Sequence, residues 1–297
     1  MQLQMRQFTG FICIILAGIG FGFLGIFGRL AFNSGMTVGQ LLTFRFSFAA
    51  VVLFLGLLIF KRSALILNFR QILISAGLGI FGYAVFSTLY FKSIQGLSVS
   101  LAALLLFTFP LFVNLGSHFI LKDKMSLKQF ISLIIACTGI AILLWGPVFF
   151  DSIISIFYAI AAAVAYSVYV LVSGKYQQGV HPLSSSLYVI FFAAVALSIF
   201  HQTNIFDILN LNQNKFFYVF GLSVVCTIGP ITLFLVGLQH LSSSKASIVV
   251  MIEPVVAALA AWIILDEKLR PFQYFGMALV FFALNLNVQL NLKVNTK

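Results

Sequence analysis

The sequence is poor in charged residues, and above all in acidic ones. Only 8% of the residues are charged, and Asp and Glu together number 6 in a chain of 297, whereas about a quarter of an ordinary globular chain is charged. Hydrophobic residues make up 62% of the sequence, and the mean hydropathy is +1.12. This composition excludes a soluble domain, because too few side chains are available to cover a surface in contact with water.

Cysteine and the usual signatures of catalysis are also scarce. The three cysteines, Cys13, Cys137 and Cys226, fall inside apolar segments, which favours small buried side chains over a disulfide framework. His118 has no second ligand at metal-binding spacing. The sequence contains no P-loop, no EF-hand loop and no Ser/His/Asp arrangement in a polar setting. We therefore expect no enzyme, no metal site and no cofactor.

Long apolar runs dominate what remains. A membrane helix needs about 20 mostly apolar residues, and these runs are apolar on every face, unlike the alternating strands of a membrane β-barrel. The sequence predicts an all-α polytopic membrane protein with ten transmembrane helices, near residues 8–32, 38–60, 71–91, 98–120, 127–147, 152–173, 183–200, 215–238, 245–265 and 271–290.

The distribution of Lys and Arg predicts the orientation in the membrane, because these residues concentrate in short cytoplasmic loops. With the N-terminus inside, the outer side holds Lys92, Lys215, Lys268 and Arg270. The cytoplasmic side then holds Arg6, Lys61, Arg62, Arg70, Lys122, Lys124, Lys128, Lys175, Lys245, Lys293 and Lys297. We expect both termini to be cytoplasmic. Membrane topology also explains the net charge of +11 better than nucleic-acid binding does, since no basic run is interleaved with aromatics.

The chain repeats itself at an offset of 144 positions. Leu97-Ser98 aligns with Leu241-Ser242, Pro110 with Pro254, and Gly35 with Gly179. We expect two repeats, residues 1–147 and 148–297, each with five helices. Because five is odd, the second repeat must enter the membrane inverted relative to the first, which predicts a shared cavity near the midplane.

Among the charged residues within the predicted helices, Glu253 and Arg45 are the candidates for this cavity. Glu253 is the one acid well inside a span, and intramembrane acids suggest function. It could couple protons, contact a cationic ligand or make a static hydrogen bond beside Pro254. Arg45 lies near the start of the second helix and could either extend toward the boundary or face the cavity mouth.

Polar and aromatic stripes in the helices supply further candidates. Lipid cannot satisfy their hydroxyl groups, so they face either a partner helix or a water-filled cavity. The candidate cavity-lining residues, besides Glu253 and Arg45, are Tyr83, Ser87, Tyr90, Asn114, Tyr166, Tyr169 and Thr227. Proline interrupts the helical hydrogen bonds, and the candidate hinges are Pro110, Pro230 and Pro254.

Several of these segments resemble the EamA-type branch of the drug/metabolite transporter superfamily. The resemblance rests on the ten-helix duplication, Phe44-Arg45-Phe-Ser in the second helix, Glu253-Pro254-Val255 in the ninth, and Asp266-Glu267-Lys268-Leu after it. It covers essentially the whole chain in both copies. The first copy departs from the second, since Phe109 stands where the second copy has Glu253.

Membership of that family implies a secondary carrier of small organic metabolites, such as amino acids or related compounds. The expected protein is an exporter in the bacterial cytoplasmic (inner) membrane that works by alternating access as a monomer or homodimer. Its partners are a small-molecule substrate and the lipid bilayer, with protons as a candidate coupling ion and no nucleic acid. Two alternatives remain open: an importer of a nucleoside-like or S-adenosylmethionine-like metabolite, and a non-transporting membrane scaffold or receptor.

Overall fold

The computed structural model describes residues 2–121, 125–146, 152–176 and 179–293, and every regular element within these ranges is helical. Ten apolar helices, numbered in chain order, form the bundle. They are α1 (Met5–Asn33), α2 (Val38–Phe60), α3 (Phe69–Ser93), α4 (Val99–Ile120), α5 (Leu127–Leu143), α6 (Ile153–Tyr176), α7 (Pro182–His201), α8 (Gln213–Leu238), α9 (Ser243–Leu265) and α10 (Pro271–Val288). The last helix continues to Lys293.

Nine of these helices have at least 18 residues, and α5 is shorter. At 1.5 Å per residue its 17 residues extend about 26 Å, which lies at the short end of the range for a membrane span. The prediction of ten transmembrane helices is confirmed, and the predicted bounds agree to within a few residues. The described residues do not include Lys122, Lys124 and Lys297, which contribute to the predicted charge distribution. The predicted repeat boundary after residue 147 also lies outside them.

The helix ends repeat at the offset found in the sequence. Asn68 and Asn212, which are 144 positions apart, are both N-caps whose side chains accept a hydrogen bond from the third backbone N–H of the helix. Gly35 and Gly179, also 144 apart, both have a positive φ, +84° and +89°. A side chain is rarely tolerated in that conformation, which explains why both repeats have glycine there.

The irregular turns inside the helices also repeat. In α3 a π-helical stretch runs over Leu78–Ala84, and in α8 another covers Val224–Ile228. The α-helical geometry of α4 stops at Leu106 and resumes at Phe109. In α9 a short 3-10 turn occupies Val250–Ile252. Each pair lies at matching positions in the two repeats, so both copies interrupt the same helices at the same depth.

Helix packing follows the same pseudo-symmetry. Equivalent helices pack on each other across the two repeats, α2 on α7 and α5 on α10. Further contacts come in matched pairs. The contact of α1 with α8 is matched by that of α3 with α6, and the contact of α1 with α9 is matched by that of α4 with α6. This is the arrangement expected of two inverted five-helix repeats.

Small residues bring α5 and α10 into close contact. A Cβ added at Gly276 would lie 2.7 Å from the Gly139 carbonyl oxygen and 2.7 Å from the Leu143 amide nitrogen. The Ser132 hydroxyl donates to the Ala283 carbonyl at 2.6 Å. Small residues allow such backbone approach in membranes, where lipid removes the usual hydrophobic driving force.

We expect Gly276→Ala to destabilise the protein, because the new methyl group meets backbone atoms that cannot rotate away. Overpacking of this kind removes about 1–3 kcal/mol. The matched control is Gly56→Ala, since a Cβ at Gly56 meets nothing within 4 Å, and the higher helix propensity of alanine should leave that variant as stable as the wild type or slightly more so. Thermal unfolding in detergent measures both. Equal melting temperatures for the two variants would contradict the close α5–α10 contact.

A histidine caps α7 at the end of the bundle that carries the chain termini. The His181 Nδ1 accepts a hydrogen bond from the Leu183 amide at 3.3 Å, and the Lys61 Nζ lies 2.7 Å from the His181 Nε2. Burial and, to a lesser extent, the Lys61 charge lower the pKa of His181. Protonation of the ring would remove the cap acceptor and place two cations side by side.

Because the folded protein holds the His181 pKa below its ordinary value of about 6.5, the unfolded chain binds a proton first as the pH falls. Stability present above about pH 6.5 should therefore decline on acidification. We expect His181→Asn, which keeps a good capping side chain, to weaken this decline in the melting temperature between about pH 7.5 and 5.5. The control is His118→Asn, at an exposed position of α4. A decline in His181→Asn as steep as in the wild type would assign the pH dependence to other groups.

Candidate functional site

A cavity of about 470 Å³ lies between the two repeats. Helices α1 to α6 together with α9 and α10 contribute to its walls. Its rim includes Trp145, Glu267, Lys268 and Arg270, which are exposed at the end of the bundle opposite the chain termini. The cavity is therefore accessible from that end.

The other end of the cavity is closed by two half-helices, one that follows the break in α4 and one that precedes the break in α9. Phe109–Ile120 of α4 packs against Ser243–Val249 of α9. The Ser243 hydroxyl also donates to the Val170 carbonyl of α6 at 3.2 Å. The other half of each broken helix, Val99–Leu106 of α4 and Glu253–Leu265 of α9, lines the cavity. Within the described residues, the cavity is thus open toward one side only.

Glu253 lies at the break in α9, as the first residue of the half-helix Glu253–Leu265, and it lines the cavity. The positive end of the helix dipole favours an acidic residue there. Within the described residues its side chain makes no hydrogen bond or ion pair, although its charge interacts with that of Arg45. The carboxylate is therefore available to a molecule in the cavity.

Arg45 lies seven residues into α2, about 10 Å from its start, and only 4% of it is exposed. Its Nε donates to the Thr227 hydroxyl at 2.5 Å and its Nη2 to the Cys226 carbonyl at 2.8 Å. The side chain lines the cavity and bonds α8, which favours the cavity alternative over an extension toward the boundary. No described residue bonds its Nη1.

The π-helical turn of α8 creates the binding site for Arg45. A π turn shifts the backbone hydrogen bonds, and the Thr227 hydroxyl donates to the Leu222 carbonyl at 2.7 Å. The Ser223 hydroxyl of the same helix donates to the Arg45 carbonyl at 2.8 Å. Side chain and backbone of Arg45 are both fixed, and the guanidinium has a defined orientation.

Aromatic rings form the opposite wall. Tyr166 of α6 lies at its centre, with ring centroids 4.8 Å from Phe86, 4.7 Å from Phe109 and 6.4 Å from Tyr83. Most of these pairs are edge-to-face, a favourable arrangement for ring quadrupoles. The cavity therefore has an apolar aromatic side facing the Arg45 and Glu253 side.

The structure brings together most of the residues selected from the sequence. The predicted residues that line the cavity are Arg45, Tyr83, Ser87, Tyr90, Tyr166, Glu253 and Pro254. The predicted residues that do not line it are Asn114, Tyr169, Thr227, Pro110 and Pro230.

Those five residues lie behind the cavity wall. Thr227 binds Arg45, as described above. Tyr169 stacks on Tyr166 with a centroid distance of 5.9 Å and an angle of 11°. The Asn114 amide donates to the Pro110 carbonyl at 2.7 Å within α4. Pro110 and Pro230 follow the irregular turns of α4 and α8.

Sequence reasoning missed several apolar lining residues, which are Phe86, Phe107, Phe109 and Trp145. The chain contains 35 phenylalanines, and they occur on lipid-facing and interior faces alike, so no pattern separates the lining rings from the rest. The repeat offset gives a partial signal, because Phe109 aligns with Glu253.

The walls of the cavity differ between the repeats at equivalent positions. Glu253 of α9 is matched by Phe109 of α4, and Tyr166 of α6 is matched by Gly22 of α1. All four line the cavity. The pseudo-symmetric frame therefore encloses an asymmetric surface, charged on one side and aromatic on the other.

Comparison with protein families agrees with this architecture. The model of the EamA-like transporter family matches residues 8–145 and again residues 153–289. The chain belongs to this family. The resemblance found in the sequence is confirmed, and the protein is a multi-pass membrane transporter.

Related proteins with the same general description extend over nearly the whole chain. One is an uncharacterized transporter of Clostridium kluyveri, 25% identical over 96% of this chain and 95% of that protein. Another is the uncharacterized transporter YcbK of Bacillus subtilis, 24% identical over 95% of this chain and 94% of that protein. A solved crystal structure with a TM-score of 0.79 and 16% identity covers 97% of both chains, which supports the fold alone.

We expect Thr227→Val to destabilise the protein by about 1–3 kcal/mol, because it leaves a buried guanidinium N–H without its acceptor. Valine keeps the shape of threonine, so the change tests the hydrogen bond. Thr138→Val is the control, since the Thr138 hydroxyl is exposed and bonds only the Ile134 carbonyl of its own helix. Thermal unfolding provides the measurement, and similar losses in both variants would argue against a specific Arg45–Thr227 bond.

Proposed function

We propose that this EamA-family transporter is a secondary carrier that exports small amino-group-bearing metabolites, such as amino acids or related compounds, across the bacterial cytoplasmic membrane. The single observation that carries the proposal is the pairing, in one cavity, of the unbonded Glu253 carboxylate with the partly free Arg45 guanidinium. A molecule with an ammonium and a carboxylate would complement both groups.

The size and the lining of the cavity support a small organic substrate. Its volume of about 470 Å³ falls in the usual range of small-molecule sites, roughly 300–1,000 Å³. The rings of Phe86, Phe109 and Tyr166 offer contact area to the apolar part of a substrate. The ammonium group would approach Glu253, while the side chain of the substrate would lie against the aromatic wall.

Alternating access follows from the repeated helix breaks. In the observed state the half-helices Phe109–Ile120 and Ser243–Val249 close one end. Exchange of the roles of the two repeats would separate these halves and bring Val99–Leu106 and Glu253–Leu265 together. Pro110, Pro230 and Pro254, each beside an irregular turn, are the proposed hinges.

Charge supports an orientation with both termini in the cytoplasm. The described loops and helix ends at the terminus end carry the basic residues Lys61, Arg62, Arg70, Lys128 and Lys175. The opposite end carries the basic residues Lys92, Lys215, Lys268 and Arg270 and the acids Asp207, Asp266 and Glu267. By the positive-inside rule the terminus end is cytoplasmic, so the cavity faces outward in this structure. Residues 1–147 and 148–297 are the two proposed repeats, and the proton is the proposed coupling ion.

We expect Glu253→Gln to reduce transport of an amino-group-bearing substrate by roughly tenfold to a hundredfold, the loss typical of a charge-assisted hydrogen bond. Glutamine keeps the shape of the side chain, and no described residue depends on the carboxylate for a bond, so the variant should fold. Asp207→Asn is the matched acid-to-amide control, because Asp207 lies in a 3-10 turn outside the cavity.

The assay uses purified protein in liposomes with a panel of amino acids, nucleoside-like compounds and S-adenosylmethionine-like cations, with and without a pH gradient. If the protein is an exporter, amino acids should move from its cytoplasmic side to the opposite side, and this flux should depend on Glu253. Flux of the nucleoside-like compounds alone would replace the proposed substrate class. Full activity of Glu253→Gln with an unchanged pH profile would remove Glu253 from the mechanism.

A further inference from the structure

A second hollow of about 490 Å³ lies on the outside of the bundle, between α3 and α6. Its walls are almost entirely apolar and include Gly77 and Phe81 of α3 and Val172 of α6. Phe81 is 71% exposed, and a Cβ added at Gly77 would meet nothing within 4 Å. The hollow is therefore an unfilled groove that faces the lipid.

The groove has the length of one membrane leaflet. On α3 it extends from Arg70, near the helix start, to Gly82, which is about 18 Å at 1.5 Å per residue. Half of a hydrocarbon core of about 30 Å is about 15 Å. An extended acyl chain that entered at the Arg70 end would thus occupy the groove down to the middle of the bilayer.

The charge at the groove entrance complements an anionic headgroup. Arg70 is exposed, and its side chain makes no bond to any described residue. On α6 the groove ends at Tyr176. The neighbouring Lys175, whose Nζ lies 5.6 Å from the ring centroid of Tyr176, lines a different hollow. In the described residues, the ion pair between Arg29 and Glu267 is the only salt bridge, so Arg70 has no acidic partner among them.

The equivalent space in the second repeat is already filled by the protein. The position equivalent to Gly77 is Gly221, and a Cβ added there would collide with the ring of Phe27. The position equivalent to Arg70 is Asn214, which carries no charge. One copy of the gap is thus closed by the chain's own aromatic ring, and the other is open and has a cation at its mouth.

We propose that the α3–α6 groove binds one acyl chain of an anionic phospholipid, with the headgroup phosphate held by Arg70. The inner end of the groove is the ring of Tyr169. This ring stacks on Tyr166 and lies 4.8 Å from Tyr83, and both of these tyrosines line the central cavity. A lipid in the groove supports the back of the aromatic wall.

The proposal can be tested by native mass spectrometry of the purified full chain with phosphatidylglycerol or phosphatidylcholine, a measurement that requires no known transport substrate. We expect wild type to retain phosphatidylglycerol preferentially. Arg70→Gln should reduce phosphatidylglycerol retention about fivefold, the contribution of one basic residue near an anionic lipid. Gly77→Leu, which fills the groove, should reduce retention of both lipids.

Two controls match these variants. Arg62→Gln removes a cation at the same end of the bundle that does not line the groove, and Gly56→Leu adds a side chain at another open helical glycine. Both should retain phosphatidylglycerol as the wild type does. Equal losses in Arg62→Gln and Arg70→Gln, or unchanged retention in Gly77→Leu, would overturn the proposal. Displacement of the lipid by millimolar glycerol phosphate would indicate an anion site without an acyl-chain groove and would overturn it as well.

Discussion

The constraint on which the structure depends is the satisfaction of backbone hydrogen bonds within a bilayer. Lipid offers no partner to a free N–H or C=O group, so regular helices are required wherever the chain contacts lipid. The described helices obey this rule except at a few irregular turns, whose buried residues pack inside the bundle although Phe81 and Val225 within them are exposed. The carbonyl group of Cys226, whose helical N–H partner is missing because residue 230 is proline, is bound by Arg45. A backbone irregularity and a buried cation thus satisfy each other.

This pairing also explains how a guanidinium can remain inside the membrane. An unpaired Arg near the centre of a span is unfavourable by about 2.5–3.5 kcal/mol on insertion scales, and bonds from Arg45 to Thr227 and Cys226 offset that penalty. The same bonds keep the guanidinium from moving toward Glu253. Arg45 and Glu253 line the same cavity without forming an ion pair in the described residues.

Much of the architecture could be predicted from the sequence, because it depends on regular patterns. Apolar runs predicted ten helices, and the offset of 144 predicted the inverted repeat. Glu253 and Arg45 could be identified because charged residues are rare inside spans. The partners of Arg45 could not be predicted, since a π turn has no residue signature and Cys226 contributes a backbone atom. The aromatic wall could not be predicted either, because phenylalanine also covers the lipid-facing surface.

The difference between Glu253 and Phe109 has a consequence for how cargo would pass through the protein. Each repeat offers the same helix break, but only the second offers an acid there, so a bound molecule has one preferred direction for its positive end. The residues that set this orientation line the walls of the cavity and do not lie at either opening. A bound molecule would therefore keep the same orientation when the cavity closes on one side and opens on the other, and it would leave without rotating.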